Sequence, residues 1–262
     1  VVMITGPTGS GKTTTLYSCL DYCNSAERKI ITVEDPVEFT IDGLTQCSTS
    51  DKSGRTFESS LREIVRQDPD IIVLGEIRDK NTAEIAIQAA LTGHKVYTTF
   101  HTEDTIGGLV RLLNMEIEAF LISSTVISVV AQRLLRRICE QCCTPYQPNP
   151  LELARLGLDH AELRGYEFKK GRGCKNCSYT GYRGRVGVYE LLVVNQEVQE
   201  AILAKRSAPE IRHVSQETTG LVSMREDAVA KVIRGFTSFD EVLRYTPKTM
   251  KQRPLGELLS LT

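Results

Sequence analysis

The feature that most constrains the fold is a glycine-rich stretch near the amino terminus, GPTGSGKTTT, which runs from Gly6 to Thr15. It follows the apolar run Val1–Ile4 and precedes residues with helical apolar spacing, Leu16–Leu20. Glycines let the backbone curl so that several amides point at an anion, and the following helix adds its positive end. The sequence therefore predicts a strand, a phosphate-binding loop and a helix, which open an α/β fold.

The stretch matches the phosphate-loop pattern G-x-x-x-x-G-K-[ST]. In such loops the lysine reaches the β- and γ-phosphates, and the final hydroxyl joins the coordination of Mg²⁺. A glycine-rich helix cap is the alternative, but the flanking strand and helix favour the phosphate loop. ATP is the expected nucleotide, because the chain has no Asn-Lys-x-Asp segment of the kind that reads guanine. The predicted nucleotide-binding residues are contiguous: Gly6, Pro7, Thr8, Gly9, Ser10, Gly11, Lys12, Thr13 and Thr14.

Two further apolar runs end in carboxylates. IITVEDPVE reaches an acidic segment at Glu34, and DPDIIVLGEIRD leads into Gly75 and Glu76. Ligands of open α/β sheets bind at the carboxyl ends of the strands, so both glutamates are expected near the phosphates. One would orient or deprotonate the attacking water, and the other would act through Mg²⁺. Because Gly75 stands where other phosphate-loop enzymes carry a metal-binding acid, Glu76 is favoured as the water-positioning group.

A fourth apolar run, Lys95–Phe100, is flanked by His94 and His101. A lone histidine is usually structural. Two histidines that bracket a strand ending in Thr-Thr-Phe-His-Thr favour a γ-phosphate sensor, because imidazole and hydroxyl groups can hydrogen-bond a phosphate.

Four of the eight cysteines form two Cys-x-x-Cys pairs, Cys139 with Cys142 and Cys174 with Cys177, separated by 31 residues. This pattern is typical of a closed tetrahedral Zn²⁺ site, although the separation exceeds that of many zinc ribbons. The intervening chain is therefore expected to fold by itself. Cys143 adjoins the first pair, but the two-residue gap selects Cys142 as the ligand.

Basic residues surround the second cysteine pair. A zinc ion with four thiolate ligands carries two net negative charges, so nearby basic residues would stabilise it by Coulomb attraction and have a structural role. A nucleic-acid-binding ribbon is the rival interpretation, with Tyr179 and Tyr182 as stacking residues. Between Phe168 and Tyr189 the chain has no acidic residue and six basic ones: Lys169, Lys170, Arg172, Lys175, Arg183 and Arg185.

The rest of the chain is mainly helical in pattern. Phe120–Ala131 is interpreted as one packed helix, and Ser207 and Ser238, each followed three residues later by glutamate, predict helix starts. No apolar run reaches 18 residues, so no membrane-spanning segment is predicted. The predicted domains are a nucleotide-binding core at 1–137, a tetracysteine module at 138–190 and a helical domain at 191–262.

The motifs together resemble one family, the type II secretion and type IV pilus assembly ATPases. GPTGSGKTTT, ITVEDPVE, RQDPDIIVLGEIRD and AALTGHKVYTTFHTED are similar in order to its Walker A motif, Asp box, Walker B motif and His box. The similarity continues through QRLLRRICEQC, GCKNCSYTGYRGRVGVYELL and MREDAVAKVIRGFTSFDEVLR, and so covers nearly the entire chain. The resemblance implies a recA-like phosphate-loop core with a Cys₄ zinc subdomain and a small C-terminal helical domain.

The resemblance also implies roles for individual residues. Lys12 and Thr13 would bind nucleotide and Mg²⁺, Glu34 and Glu76 would be the activating acids, and His101 would belong to the sensing box. Members of the family are cytoplasmic homo-hexameric ATPases, peripheral to the inner membrane, that dock on a platform protein. Members also carry an N-terminal domain that supplies arginines to the nucleotide. The chain is therefore expected to be part of a longer protein and to hydrolyse ATP weakly without that domain.

Two other functions remain open at this point. One is a recA-like nucleic-acid translocase with a zinc-ribbon binding module, although the net charge of −1 argues against a surface that follows nucleic acid throughout. The other is a nucleotide-binding switch with little turnover. Within the resembled family, the tetracysteine module favours pilus assembly or secretion over retraction, and no nucleic-acid partner is expected.

Overall fold

A computed structural model of the chain describes residues 1–49, 57–156, 158, 163, 165–247 and 253–261. The strands among these residues are β1 (Val2–Thr5), β2 (Ile30–Glu34), β3 (Thr45–Ser48), β4 (Ile71–Leu74), β5 (Lys95–Phe100), β6 (Ser128–Ile138), β7 (Cys143–Tyr146), β8 (Phe168–Gly171) and β9 (Tyr182–Val193). Seven of them form one sheet in the order β3-β2-β4-β5-β1-β6-β9, and β7 pairs with β8.

The α-helices of the described residues are α1 (Lys12–Cys23), α2 (Phe57–Ile64), α3 (Lys80–Leu91), α4 (Thr105–Asn114), α5 (Ala119–Thr125), α6 (Pro150–Leu156), α7 (Gln196–Leu203), α8 (Ala208–Thr219), α9 (Met224–Ile233), α10 (Phe239–Tyr245) and α11 (Leu255–Leu261). None of these helices is long and apolar enough to cross a membrane. Strands and helices alternate through the first hundred residues, which is the pattern expected of an α/β fold.

The large sheet is parallel from β3 to β6. Val2 of β1 lies opposite Tyr97 on one side and Ser128 on the other, so the first strand is central, as its apolar sequence predicts. Every residue of β2 and β4 is buried. Parallel strands covered on both faces need no polar alternation, which explains the unbroken runs of isoleucine and valine.

The interpretation of Phe120–Ala131 as one helix is wrong. Helix α5 ends at Thr125, and β6 begins at Ser128 and pairs with β1 in parallel register. The second half of the run is rich in β-branched residues, which favour strands, and the open side of β1 supplies the backbone partners.

Helix α1 packs on one face of the sheet through Leu16, Tyr17 and Leu20. The opposite face is covered by a larger apolar cluster to which α2, α3, α4, α5 and α7 contribute. The phosphate-loop helix is therefore held directly against the strands whose carboxyl ends carry the predicted site residues.

The chain divides into two compact units, one of residues 1–131 and 191–221, the other of 132–190 and 222–262. The second unit contains the β7–β8 pair and an ion pair in which the exposed Arg136 lies 2.7 Å from the buried Glu241. Ser207 forms the predicted capping box of α8 with Glu210, and Ser238 accepts a hydrogen bond from the amide of Glu241 at the start of α10. The three predicted domains, 1–137, 138–190 and 191–262, remain a prediction.

Candidate nucleotide and metal sites

The loop between β1 and α1 adopts a backbone that suits glycine. Gly9 and Gly11 have φ angles of 78° and 90°, in the left-handed region that other residues rarely enter. Gly11 is the N-cap of α1 and provides no side chain, so the first amides of the helix keep their hydrogens for a ligand. The loop therefore leads into the positive end of a helix whose first turn has no side-chain cap, an arrangement suited to holding phosphate.

Lys12, the first residue of α1, turns back over this loop. Its Nζ donates to the carbonyl oxygen of Gly6 at 2.9 Å and to that of Pro7 at 3.2 Å. Burial lowers the pKa of Lys12, and the nearby carboxylate of Glu76 opposes that shift. The ammonium group is thus positioned over the loop and within electrostatic range of Glu76.

Glu76 follows β4 and is held by two basic side chains. His101 Nε2 lies 2.8 Å from its Oε2, and Arg78 Nε donates to its Oε1. Burial opposes ionisation of Glu76, but the hydrogen bonds from Arg78 and His101 outweigh it and lower its pKa. The same guanidinium reaches Asp35 Oδ2 at 3.4 Å. The structure therefore brings Lys12, Glu76 and His101 together, as predicted, and adds Arg78.

Gly75 occupies the position before Glu76 for a steric reason. A Cβ atom there would lie 3.2 Å from the carbonyl oxygen of Val33 and 3.3 Å from Glu34 Cα. The amide of Gly75 donates to the same carbonyl at 2.7 Å, and the Thr99 hydroxyl donates to the carbonyl of Gly75 at 2.6 Å. The absence of an acid at this position follows from the close approach of β2 and β4.

The structure places Glu34 apart from the phosphate loop. The side chain is buried, its Oε2 accepts from the Tyr17 hydroxyl, and its Oε1 accepts from the Thr32 hydroxyl at 2.6 Å and from Gln46 Nε2 at 3.3 Å. Both carboxylate oxygens are therefore already hydrogen-bonded to neutral donors beneath α1.

The two histidines of the predicted sensor separate. His101 follows β5 and contacts Glu76, whereas His94 precedes β5 and its Nδ1 lies 2.9 Å from the carbonyl oxygen of Ala89. The start and the end of a strand are separated by the full length of that strand, so they lie at opposite ends of a parallel sheet. His94 is therefore a structural residue at the end of α3. The prediction of a γ-phosphate sensor is now limited to His101 and Thr102. The hydroxyl of Thr102 lies 2.7 Å from that of Thr5.

Sequence reasoning missed Arg78 and Tyr17. Arg78 stands two residues after Glu76, and Tyr17 stands five residues after Lys12, so each is close in sequence to a predicted residue. Neither belongs to a motif with a general chemical meaning. Their proximity to the acids depends on how β2, β4 and α1 pack, which spacing along the chain does not reveal.

The four predicted metal ligands converge in the second unit. The Sγ atoms of Cys139, Cys142, Cys174 and Cys177 all lie within 4.8 Å of one another. Three of the separations are 3.8–3.9 Å. A tetrahedral centre with Zn–S bonds of about 2.3 Å separates its sulfurs by about 3.8 Å, so the donor set fits Zn²⁺.

Backbone amides support the sulfurs of this tetrad. Gly173 N donates to Cys142 Sγ at 3.3 Å, and Cys174 N and Gly181 N donate to Cys177 Sγ at 3.2 and 3.3 Å. Burial opposes ionisation of Cys177, but the amides of Cys174 and Gly181 outweigh it and lower its pKa to about 6. At Cys142 burial outweighs the amide of Gly173 and raises the pKa to about 11. Thiolates that accept amide hydrogen bonds are the form that binds a metal ion.

Glycines allow the chain segments before and after the second cysteine pair to pack closely together. A Cβ atom on Gly171 would lie 2.0 Å from the carbonyl oxygen of Gly181, and one on Gly173 would lie 2.6 Å from that of Tyr179. No other residue fits at these positions without moving the backbone. The glycines between the two cysteine pairs are therefore part of the signal for a tight metal centre, and Cys143 lies outside the tetrad, in β7.

Comparison with known proteins identifies relatives of the chain. The family described as type II/IV secretion system protein matches residues 1–244. The type IV pilus assembly ATPase PilB of Thermus thermophilus is 46% identical over 246 residues, which are 94% of this chain and 28% of that protein. Type II secretion system protein E of Pseudomonas aeruginosa is 47% identical over 247 residues, which are 94% of this chain and 48% of that protein. The chain thus spans half the length or less of these relatives.

Solved structures give the same result for the fold. The pilus retraction motor PilT with bound ADP superposes with a TM-score of 0.71 at 26% identity, over 94% of this chain and 61% of that one. The Legionella pneumophila ATPase DotB gives a TM-score of 0.66 at 25% identity, over 92% of this chain and 58% of that one. The expected α/β fold with a recA-like core is confirmed, and the match across 1–244 leads to one conclusion: the chain belongs to the type II/IV secretion system protein family.

Proposed function

We propose that the chain is the ATP-hydrolysing part of a motor that drives type IV pilus assembly or type II protein secretion. The observation that carries the proposal is the grouping of Lys12, Glu76 and His101 around a phosphate-binding loop. The relatives named as a pilus assembly ATPase and as type II secretion system protein E support this activity for the chain.

In the proposed binding step, the loop Gly6–Thr14 surrounds the phosphates. Lys12 leaves the carbonyl oxygens of Gly6 and Pro7 and pairs with the β- and γ-phosphates, which are stronger partners for an ammonium group than two neutral oxygens. The Thr13 hydroxyl would hold Mg²⁺, which neutralises phosphate charge when bound.

In the proposed hydrolytic step, Glu76 orients the attacking water. His101 fixes one oxygen of Glu76 at 2.8 Å and links that carboxylate to the segment after β5. A glutamate whose pKa is lowered is a weak base, so it acts mainly by accepting a hydrogen bond from water and directing it at the γ-phosphate. Arg78 donates to the other oxygen of Glu76 and would compete with water for it.

The tetrad of Cys139, Cys142, Cys174 and Cys177 is proposed to hold a structural Zn²⁺. Four protein ligands leave no open position for a substrate, so the ion would contribute folding energy and no chemistry. We assign the assembly proposed for the family to the whole protein: a homo-hexamer in the cytoplasm, peripheral to the inner membrane and docked on a platform protein, with no nucleic-acid partner.

The proposal is tested with Lys12→Ala in the full-length protein. The variant is expected to lose steady-state ATPase activity together with pilus assembly or secretion. Turnover that survives the substitution would contradict the assignment of the loop. Strong stimulation of the wild-type enzyme by single-stranded DNA would instead indicate a nucleic-acid translocase.

A further inference from the structure

Glu34 is a buried carboxylate whose hydrogen-bond partners, among the residues that the structure describes, are neutral side chains. Only 4% of its surface is exposed, and its oxygens accept from Tyr17, Thr32 and Gln46. A buried carboxylate is stable only when its oxygens are well hydrogen-bonded, so this arrangement fixes the side chain firmly. Both oxygens are thus engaged by the protein, and little of the side chain is open to solvent.

The position of Glu34 in the sheet also separates it from the phosphate loop. Glu34 ends β2, and β4 and β5 lie between β2 and β1, from which the loop emerges. Three strand spacings amount to about 14 Å. Glu76 follows β4, which is one strand closer, and it influences the pKa of Lys12, whereas Glu34 does not contribute to that shift.

Tyr17 provides the connection between Glu34 and the loop. It lies on α1, five residues after Lys12, which is about 7.5 Å along the helix axis. Its hydroxyl donates to Glu34 and accepts from the amide of Glu38 at 3.3 Å, and its ring packs edge-on against Phe39 at 4.6 Å. Burial, reinforced by the hydrogen bond to Glu34, raises the pKa of Tyr17 to about 12, so the phenol keeps its proton.

We propose that Tyr17 and Glu34 are positioning residues: their hydrogen bond anchors the phosphate-loop helix to β2 and so sets the place of Lys12 and Thr13 for nucleotide binding. Glu34 then acts on the reaction through Tyr17 and α1, without touching the attacking water. The inference rests on the proposed ATPase function, and it changes the role predicted for Glu34 from the sequence.

The two roles of Glu34 predict different kinetics. An anchor acts on binding, so Tyr17→Phe in the full-length protein is expected to raise the KM for ATP about tenfold and to leave kcat within about twofold. Glu34→Ala should have the same effect. The double variant should be no worse than either single variant, because both remove one interaction.

The Glu34→Gln variant distinguishes most clearly between an anchoring role of Glu34 and a role in activating water. The amide carbonyl of glutamine still accepts from Tyr17, so an anchor predicts a smaller rise in KM than for Glu34→Ala, at most about threefold. A glutamate that acts on water would instead lose about a hundredfold in kcat on conversion to glutamine, while Tyr17→Phe would stay close to wild type. That pair of results would overturn the inference.

Tyr97→Phe is the matched control. Tyr97 is on β5, and its hydroxyl contacts Cys23 Sγ of the same helix at 3.6 Å without reaching Glu34. Its KM for ATP is expected to stay within about twofold of wild type, and a rise equal to that of Tyr17→Phe would reject the specific role of the Tyr17–Glu34 bond. If Glu34→Ala does not fold, Tyr17→Phe and Glu34→Gln still distinguish the anchoring role of Glu34 from a role in activating water.

Lys12→Ala distinguishes failure of this inference from failure of the proposed function. If wild-type turnover survives Lys12→Ala, the ATPase assignment itself is wrong. If Lys12→Ala abolishes turnover but Tyr17→Phe leaves the KM unchanged, the ATPase assignment stands and the anchor is rejected.

Discussion

The proposed metal centre and the proposed nucleotide site differ in how their polar groups are arranged. In the metal centre, four sulfurs face one another within 4.8 Å, and backbone amides support them from outside. In the nucleotide site, the groups expected to meet the ligand bind one another: Lys12 binds loop carbonyls, and Glu76 binds Arg78 and His101. The first arrangement calls for an ion, whereas the second is stable by itself and must rearrange.

This difference predicts how much each ligand contributes to the folding stability of the protein. Four thiolates repel one another unless a cation lies between them, so metal binding is coupled to folding of the surrounding chain. Nucleotide binding must first break internal hydrogen bonds and contributes less to stability. The comparison therefore predicts a large effect of metal removal on folding and a smaller effect of nucleotide removal.

The largest expected effect is the loss of the metal from the tetrad. Cys174→Ser should abolish stoichiometric zinc and lower the free energy of unfolding of the second unit by several kcal/mol, because a structural zinc ion contributes folding energy directly. Elemental analysis and thermal unfolding with and without a chelator measure both. Cys143→Ser is the control, since Cys143 is adjacent to a ligand but outside the tetrad, and it should keep its metal. Full zinc content in Cys174→Ser would refute the assignment of ligands.

A smaller effect on stability is expected in the nucleotide site. Lys12→Ala should weaken ATP binding about a hundredfold, which corresponds to about 2.7 kcal/mol, because the phosphates lose their charged partner. The same variant without nucleotide should unfold at nearly the wild-type temperature, because only two hydrogen bonds to the loop are lost. Calorimetric titration and thermal unfolding test the two statements. Lys80→Ala is the control, because that lysine pairs with Glu116 on the surface and should bind ATP normally. A large loss of stability in Lys12→Ala would contradict the contrast between the sites.

The parts of these sites that the sequence predicts are those fixed by short-range geometry. The strand, loop and helix around Lys12 follow from the spacing of the phosphate-loop pattern. Each of the two cysteine pairs forms one turn. In both cases the residues that meet are neighbours in the chain or share a tetrahedral centre that admits few arrangements.

The parts that the sequence does not predict depend on strand order. The pattern of apolar runs leaves open that β5 lies between β1 and β4, and that β2 lies beyond β4. That order separates Glu34 from the loop and places it beneath Tyr17. Likewise, Ser128–Ala131 becomes a strand because β1 offers it a partner, which a local helical pattern cannot anticipate.

The smallest expected effect concerns Arg78, and it tests whether the nucleotide site is stabilised by its own pairing. Arg78→Ala removes the donor to Glu76 and Asp35, so the pKa of Glu76 should rise toward its ordinary value of 4.5. A carboxylate whose pKa is lowered by folding adds stability above its unfolded pKa, and this stability is lost as the pH falls through its folded pKa.

The wild-type protein should therefore be more stable than Arg78→Ala at pH 7, and the difference should disappear in acid as Glu76 is protonated. Its size should stay below about 1 kcal/mol, because 59% of the Arg78 side chain is exposed and solvent screens the pair. Denaturant unfolding at pH 7 and in the acidic range measures it. Arg62→Ala, which removes an exposed ion pair with Glu58 on α2, is the matched control, and it should leave the pKa of Glu76 unchanged. A stability difference that persists unchanged in acid would mean that Arg78 stabilises the site through its contact with the Phe57 ring and not through the charge of Glu76.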